Sequence, residues 1–219
     1  MNQNSLKKAV SQAAIDFIKT NSVIGIGTGS TIGYLINALG SIKHQIKGVV
    51  SSSKQSTKKL RKIGINILDL NEIDYLPIYI DSADEIDSQM CMIKGGGAAL
   101  THEKIIASVA DKFICIIDIS KKVKTLGTFP LPIEVIPIAR NFVTYELEKI
   151  GGIAKYRQNV ITENGNIILD IHNLLISNPI LLEQYINSIP GVVTVGIFAS
   201  RRADILLVGN YNGIDIIVK

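Results

Sequence analysis

The chain has 219 residues, of which 47% are hydrophobic and 5% aromatic, and its formal net charge is +4. This apolar fraction can build a packed core, which excludes a disordered chain, and no apolar run is long enough to predict a membrane span. The mild charge and the lack of tryptophan give little support to a nucleic-acid partner, whereas a modest positive field suits an anionic metabolite.

The first seventeen residues, MNQNSLKKAVSQAAIDF, lack the continuous apolar stretch of a signal peptide and have the pattern of an amphipathic helix. The two cysteines, Cys91 and Cys115, form no CxxC motif. Both observations fit a reducing compartment, and we therefore expect a cytoplasmic protein.

Short apolar runs alternate with segments of helical spacing along the first 120 residues. The predicted elements are helix 5–19, strand 23–26, helix 31–39, strand 46–50, helix 54–63, strand 65–68, strand 77–80, helix 98–110 and strand 113–117. Ser53 is the predicted N-cap of the third helix, and Gly64 is its stop. This alternation predicts an α/β fold in which a parallel, Rossmann-like sheet has helices on both faces.

A glycine-rich loop, Gly27-Thr28-Gly29-Ser30-Thr31, connects the first strand to the second helix. Free N–H groups and the positive end of the helix dipole at such a loop favour a bound phosphate. A dinucleotide site is not expected, because Ser30 stands where that fingerprint needs a third glycine, and no GxxxxGK[ST] motif occurs. The loop therefore predicts a site for a phosphate monoester, with a tight turn that binds no ligand as the alternative.

The composition changes at Phe129-Pro130-Leu131-Pro132. The elements predicted beyond it are strand 132–136, helix 138–150, strand 153–157, strand 166–171, helix 179–188 and strand 192–198. This β-α-β-β-α-β order predicts a small ferredoxin-like α+β domain. A hairpin, 204–208 with 214–218 around Asn212-Gly213, would return to the first sheet. The predicted domains are therefore residues 1–128 with 204–219, and residues 129–203.

The stretch 81–104, DSADEIDSQMCMIKGGGAALTHEK, carries the densest set of chemically active residues. Asp81 and Asp84 follow an apolar strand, Lys94 precedes a triple glycine, and Glu103 lies in the first turns of the next helix. Ligands of α/β proteins bind beyond the carboxyl ends of the strands, and carboxylates with a lysine there suggest acid–base chemistry on a small polar molecule. The alternative is a solvated acidic loop beside a glycine turn.

Together these motifs closely resemble the ribose-5-phosphate isomerase family of the A type. The resemblance rests on GIGTGST at 25–31, SSSKQST at 51–57, the D-x-ADE loop at 81–85, IKGGGAALTHEKIIASVA at 93–110, FPLPIEVIP at 129–137 and IPGVVTVG at 189–196. Two positions depart from the family pattern, because Ser82 and Arg202 stand where glycine is usual. A serine at 82 is strained only if the backbone there needs a positive φ, and Arg202 is expected to have a surface effect at most.

The resemblance implies interconversion of D-ribose 5-phosphate and D-ribulose 5-phosphate through a cis-enediolate, in the non-oxidative pentose phosphate pathway. It implies that Glu103 is the base, that Lys94 stabilises the developing oxyanion, and that Asp81 and Asp84 bind hydroxyls, open the ring and relay protons. Which aspartate does which remains open. The candidate substrate-binding residues are Thr28, Gly29, Ser30, Thr31, Asp81, Ser82, Ala83, Asp84, Lys94, Gly95, Gly96, Gly97 and Lys121. Lys7 is a further candidate countercharge for the phosphate, and the alternative is that it only belongs to the polar face of the first helix.

No metal or cofactor is expected, since His44, His102 and His172 show no ligand spacing and the reaction needs no redox partner. The expected partner is a small sugar phosphate. The family suggests a homodimer or a tetramer, of which we expect the homodimer. A non-catalytic sugar-phosphate sensor is the alternative function, but such a regulator would carry a helix-turn-helix module, which does not fit in the first 20 residues. It would also have little reason to keep a base and a lysine beside its ligand.

Overall fold

The computed structural model describes residues 2–219 and divides the chain into two compact units. Unit 1 comprises the chain up to residue 82 with residues 102–121 and 203–219, and unit 2 comprises residues 83–101 and 122–202. Segments 83–101 and 122–128 therefore group with unit 2, whereas the sequence analysis placed them with the larger domain.

The regular elements follow the predicted alternation. The strands are β1 Ser22–Ile26, β2 Ile46–Ser51, β3 Ile78–Asp81, β4 Glu85–Ile86, β5 Met92–Ile93, β6 Lys112–Asp118, β7 Leu131–Val135, β8 Ile153–Tyr156, β9 Ile167–His172, β10 Val192–Val195, β11 Ile197–Phe198, β12 Ile205–Asn210 and β13 Gly213–Val218. The α-helices are α1 Gln3–Ala14, α2 Ser30–Leu39, α3 Lys54–Lys62, α4 Leu100–Val109, α5 Arg140–Glu148 and α6 Pro179–Asn187.

Unit 1 is built on a six-stranded sheet in the order β13-β12-β6-β3-β1-β2. All neighbouring pairs are parallel except β12 with β13, which form the predicted antiparallel hairpin. The chain runs outward from β1 to β2 and then returns to the other side of β1 as β3. The strand order thus reverses between β1 and β3, and ligands of open α/β sheets bind in the crevice at such a switch point.

Apolar strand residues and the inward faces of the helices form the core of unit 1, which includes Ile24, Ile80, Ile116 and Leu207. Helix α1 lies so close to β12 that a Cβ on Gly209 would stand 2.7 Å from the carbonyl oxygen of Leu6. This close approach places the amino-terminal helix against the same sheet whose loops carry the predicted site.

Most helix limits agree with their sequence signals. Ser53 caps α3, since its hydroxyl accepts a hydrogen bond from the Ser56 amide at 3.2 Å, and Gly64 has a φ of +82° just beyond the helix. The predicted first helix ends early, at Ala14, and continues as a 3₁₀ turn over Ile15–Phe17. Tighter turns of this kind are common at helix ends.

The predicted strand 65–68 is wrong. Only Ile67 pairs with β2, through an isolated bridge to Val49, whose amide and carbonyl bond to Asn66 and Leu68 at 2.9 Å. The chain then enters a 3₁₀ turn at Leu70–Glu72, so the segment touches the sheet edge at one residue. Apolar composition alone could not separate this single contact from a strand.

Unit 2 contains a four-stranded antiparallel sheet in the order β10-β7-β9-β8, together with α5 and α6. Numbered within the predicted β-α-β-β-α-β segment, this order is 4-1-3-2, and the ferredoxin-like prediction is confirmed. Its core contains Ile133, Val143, Leu169 and Ile186.

A second, three-stranded sheet of unit 2 was not predicted. It pairs β5 antiparallel with both β4 and β11, so part of the acidic loop is β-structure. The strand predicted over 192–198 is divided at Gly196, and its second part, β11, joins this small sheet. Residues 2–219 contain no helix that combines the length and apolar character of a transmembrane span.

Candidate active site

Asp81 ends β3 at the switch point of the unit 1 sheet and is fully buried. Its Oδ1 accepts hydrogen bonds from the amides of Thr28, at 3.0 Å, and Ser82, at 2.7 Å. The carboxyl group lies directly over the β1 loop, because a Cβ on Gly27 would stand 1.8 Å from its Cγ. Only glycine at position 27 leaves room for Asp81, and the two amides hold the carboxylate in one orientation.

The second Asp81 oxygen, Oδ2, accepts a 2.5 Å hydrogen bond from the buried hydroxyl of Tyr79. Burial raises the pKa of Tyr79 well above its usual range, and the negative charges of Asp81 and Glu103 raise it further. The hydroxyl therefore stays protonated and donates. Glu103 lies in the first turn of α4, and only 3% of its surface is exposed.

Hydroxyl groups from the β2 end brace the β1 loop. Thr28 Oγ1 lies 2.8 Å from both Ser52 Oγ and Ser53 Oγ, and Ser56 Oγ donates to the Gly27 carbonyl at 2.7 Å. The SSSKQST motif thus supports the loop from the neighbouring strand. From the sequence, only Ser53 of this motif had a predicted role, as an N-cap.

The predicted phosphate loop has a cation beside it. Lys7, on α1, is 9% exposed, and its ammonium donates to Ser30 Oγ at 3.0 Å at the start of α2. Thr31 is buried in the first turn, and Gly29 has a φ of +126°, which favours glycine. Lys121 lies in the 3₁₀ turn after β6. Within unit 1, Lys7 and Ser30 are therefore in direct contact. Hydrogen bonds connect Thr28, Ser82 and Asp81 at the same loop.

Unit 2 holds the other predicted residues. Asp84 Oδ2 accepts the Gly96 amide at 2.8 Å, and a Cβ on Gly96 would stand 2.7 Å from Asp84 Oδ1. Lys94 is 2% exposed, its amide donates to the Gly196 carbonyl at 2.8 Å, and its ammonium lies 5.5 Å from the Phe198 ring centroid. The Asp84 carboxylate is therefore in direct contact with the backbone of the glycine loop.

The remaining predicted residues of unit 2 are Ala83, which precedes Asp84 in the sequence, and two glycines of the same loop. Ala83 is buried, Gly95 has a φ of +110°, and Gly97 is exposed. Within residues 2–219, no group of three or more His, Cys, Asp or Glu side chains is placed to hold a metal ion.

A family model described as ribose 5-phosphate isomerase A (phosphoriboisomerase A) matches residues 48–213. The chain belongs to the ribose 5-phosphate isomerase A family. The resemblance inferred from the motifs is thereby confirmed, and family membership makes the protein an enzyme, an isomerase.

Individual relatives are similar over the whole chain. Ribose-5-phosphate isomerase A of Buchnera aphidicola subsp. Schizaphis graminum (strain Sg) is 60% identical over 217 residues, covering 99% of each chain. The crystal structure of ribose 5 phosphate isomerase A from Neisseria gonorrhoeae is 45% identical with a TM-score of 0.97, covering 99% of this chain and 97% of that one. A D-ribose-5-phosphate isomerase in complex with phospho-erythronic acid is 39% identical with a TM-score of 0.96 and full coverage of both chains.

The two departures from the isomerase pattern have physical explanations. Ser82 has no positive φ, so serine causes no strain there, and its hydroxyl donates to the Thr28 carbonyl at 3.3 Å. Arg202 is half-buried and donates to the carbonyls of Ala199 and Gln89 at 3.1 and 3.2 Å. Arg202 therefore connects two loops of unit 2, which is more than the surface effect that we expected.

Sequence reasoning missed several residues of this isomerase that the structure connects to the predicted site. Tyr79 could have been found, since it lies two residues before Asp81 on the same face of β3 and a buried hydroxyl needs a partner. Glu134, on β7, is buried and accepts hydrogen bonds from Thr101, Thr162, Asn164 and Asn166 at 2.5–3.0 Å. Nothing local in the sequence marks Glu134 as the acceptor for the start of α4.

Proposed function

We propose that the protein interconverts D-ribose 5-phosphate and D-ribulose 5-phosphate through a cis-enediolate, with Glu103 as the base that moves the proton between C2 and C1. The observation that carries the proposal is the buried Glu103 carboxylate, whose charge adds to the rise in the pKa of Tyr79 that burial and Asp81 cause. A carboxylate that is withdrawn from water is suited to proton transfer. This reaction belongs to the non-oxidative pentose phosphate pathway.

Lys94 is the proposed electrostatic partner of the enediolate. Its near-complete burial supports this role, because an ammonium withdrawn from water interacts strongly with a charge that develops nearby. Removing one such stabilising group typically lowers kcat by about 100- to 1,000-fold. We therefore expect Lys94→Ala to lower kcat much more than it raises KM, and an unchanged kcat would remove Lys94 from the mechanism.

Asp81 and Asp84 are proposed to bind the sugar hydroxyls, open the ring and relay protons between O1 and O2. Both carboxylates are already oriented by backbone amides, which is the preorganisation that such roles need. The phosphate is proposed to bind at the loop 28–31 with Lys7 and Lys121 as countercharges. Binding there would hold the sugar and contribute to the rate at the reacting carbons.

The test of the base is Glu103→Gln, measured by ketose formation from ribose 5-phosphate in the presence of a chelator. We expect turnover to be abolished while substrate binding stays within about tenfold, because the amide keeps the shape but cannot accept the proton. Glu148→Gln, on the exposed face of α5, is the matched control and should keep the wild-type rate. A Glu103→Gln enzyme of near wild-type rate would refute the base assignment.

The same assay separates the isomerase from the alternative, a non-catalytic sensor, which would bind the sugar phosphate without producing ketose. The ligand of one similar structure, phospho-erythronic acid, supports the enediolate route. Its carboxylate places two oxygens and a shared negative charge on one carbon of a phosphorylated polyol, which resembles the planar, negatively charged O–C=C–O group of an enediolate. We expect it to inhibit this enzyme competitively and more tightly than ribose 5-phosphate binds.

We further propose a cytoplasmic homodimer that requires no cofactor. Strongly exposed apolar side chains such as Ile138, at 95%, support self-association, since burying them would remove apolar surface from water. Light scattering of the purified protein tests the dimer, and a monomer mass at micromolar concentration would contradict it. Full activity after dialysis against a chelator is the expected result for the cofactor proposal.

A further inference from the structure

Arg157 follows β8 in unit 2, and all three nitrogens of its guanidinium group donate hydrogen bonds. Its Nε and Nη2 bind the two carboxylate oxygens of Asp170, on β9, at 2.7 and 2.5 Å. The third nitrogen, Nη1, donates to the carbonyls of Gly95, at 3.0 Å, and Gly96, at 3.1 Å. The planar fork of arginine allows this double engagement, whereas a lysine ammonium could not reach both partners in fixed directions.

The glycine loop is confined from a second side. A Cβ on Gly95 would stand 3.1 Å from Pro132 Cβ, so the Pro132 side chain on β7 lies against the loop backbone. Pro132 and Asp170 are directly opposite each other on neighbouring strands. The proline that contacts the loop and the carboxylate that orients Arg157 therefore belong to the same cross-strand pair. The ferredoxin-like sheet thus supplies both contacts to the loop.

The backbone of this loop in turn orients Asp84, one of the acids of the proposed mechanism. The peptide whose carbonyl binds Arg157 at Gly95 is the same peptide whose N–H, on Gly96, donates to Asp84 Oδ2 at 2.8 Å. Fixing the direction of that carbonyl therefore fixes the direction of the N–H on the opposite side of the same planar unit. Asp84 is thereby oriented by Arg157 through one peptide group.

We propose that Arg157, held by Asp170, is a positioning residue for the isomerase, which sets the Gly95–Gly96 peptide so that Asp84 takes its working orientation. The inference rests on the proposed role of Asp84. Arg157 touches no reacting atom, so its loss should slow turnover rather than abolish substrate binding. A displacement of about 1 Å at a reacting group can lower the rate by about 100-fold.

The experiment measures kcat and KM for ribose 5-phosphate with Arg157→Gln and Arg157→Lys. We expect Arg157→Gln to lower kcat by about 10- to 100-fold while KM changes by less than about threefold. Arg157→Lys should keep the charge opposite Asp170 and rescue part of the loss. Arg140→Gln, an exposed arginine on α5, is the matched control and should keep the wild-type kcat.

Double variants distinguish positioning from general damage. If Arg157 acts through Asp84, then Arg157→Gln should cost less than about twofold in an Asp84→Asn background, because the group that it orients is already disabled. Losses that multiply in the double variant would overturn the proposal and leave the proposed function intact. An Asp84→Asn enzyme of wild-type rate would instead remove Asp84 from the mechanism, and the positioning proposal with it.

Thermal unfolding of each variant completes the test. Should Arg157→Gln fail to fold, Arg157→Lys carries the measurement, since it keeps the ion pair in unit 2. A loss in kcat of at least about fivefold with an unchanged melting temperature supports positioning. A smaller loss in the Arg157→Gln enzyme, or in Arg157→Lys where only that variant folds, would overturn it.

Discussion

The hydrogen bond between Tyr79 and Asp81 offers a direct measurement of how strongly the site is preorganised. Tyr79→Phe removes one hydroxyl and keeps the ring, which packs on Phe113 with a centroid distance of 5.1 Å. Hydrogen bonds to charged groups contribute about 1.5–3 kcal/mol to stability. For a protein of this size, that loss lowers the melting temperature by roughly 3–12 °C.

The same substitution has a signature in pH. Because burial and the neighbouring carboxylates raise the pKa of Tyr79 in the folded state, the unfolded chain releases this proton first, near pH 10. Above that pH the folded state binds more protons than the unfolded state, so its stability falls as the pH rises. At pH 11 the loss from this one group is on the order of 1 kcal/mol, and Tyr79→Phe does not undergo it. The stability difference between wild type and variant should therefore shrink from pH 8 to pH 11.

The assay is urea or thermal unfolding at both pH values, together with kcat for ribose 5-phosphate. Tyr75→Phe is the matched control, since it also removes a tyrosine–aspartate hydrogen bond, to Asp111, but at an exposed position. It should change the melting temperature less than Tyr79→Phe does. If Tyr79→Phe unfolds at the wild-type temperature, or if the stability difference does not narrow from pH 8 to pH 11, the Tyr79 hydroxyl does not hold Asp81.

Two further substitutions test close contacts of the fold. Gly27→Ala should lower kcat/KM by about 100-fold or more, because its Cβ would displace the Asp81 carboxyl group. The control is Gly33→Ala, whose Cβ would meet only the flexible end of Lys59. Its kcat/KM should stay near the wild-type value in the same assay. Glu134→Ala should lower the unfolding free energy by about 3–5 kcal/mol, since it leaves several buried donors without an acceptor. Glu134→Gln should lower the unfolding free energy less. Denaturant unfolding of both variants measures this difference, and equal unfolding free energies of the two variants would contradict the prediction.

Local patterns in the sequence determined most of the fold. The alternation of apolar strands with amphipathic helices predicted the parallel sheet, because each element must bury one face. The second run of elements predicted the ferredoxin-like domain, and the turn at Asn212-Gly213 predicted the hairpin of β12 and β13. The same local signals placed Asp81, Asp84, Lys94 and Glu103 close together along the chain, and family resemblance supplied their proposed roles.

What only the tertiary structure decided are the contacts between segments that are distant in sequence. The largely apolar segment 65–68 has the composition of a strand, but only Ile67 pairs with the edge of the sheet. Arg157 lies 62 residues from Gly95 in the sequence, and no local pattern at either position predicts their hydrogen bond. Hydrophobic period and turn chemistry are properties of neighbours along the chain. The partner of a buried polar group instead depends on strand order and register, which bring remote residues together only once the chain has folded.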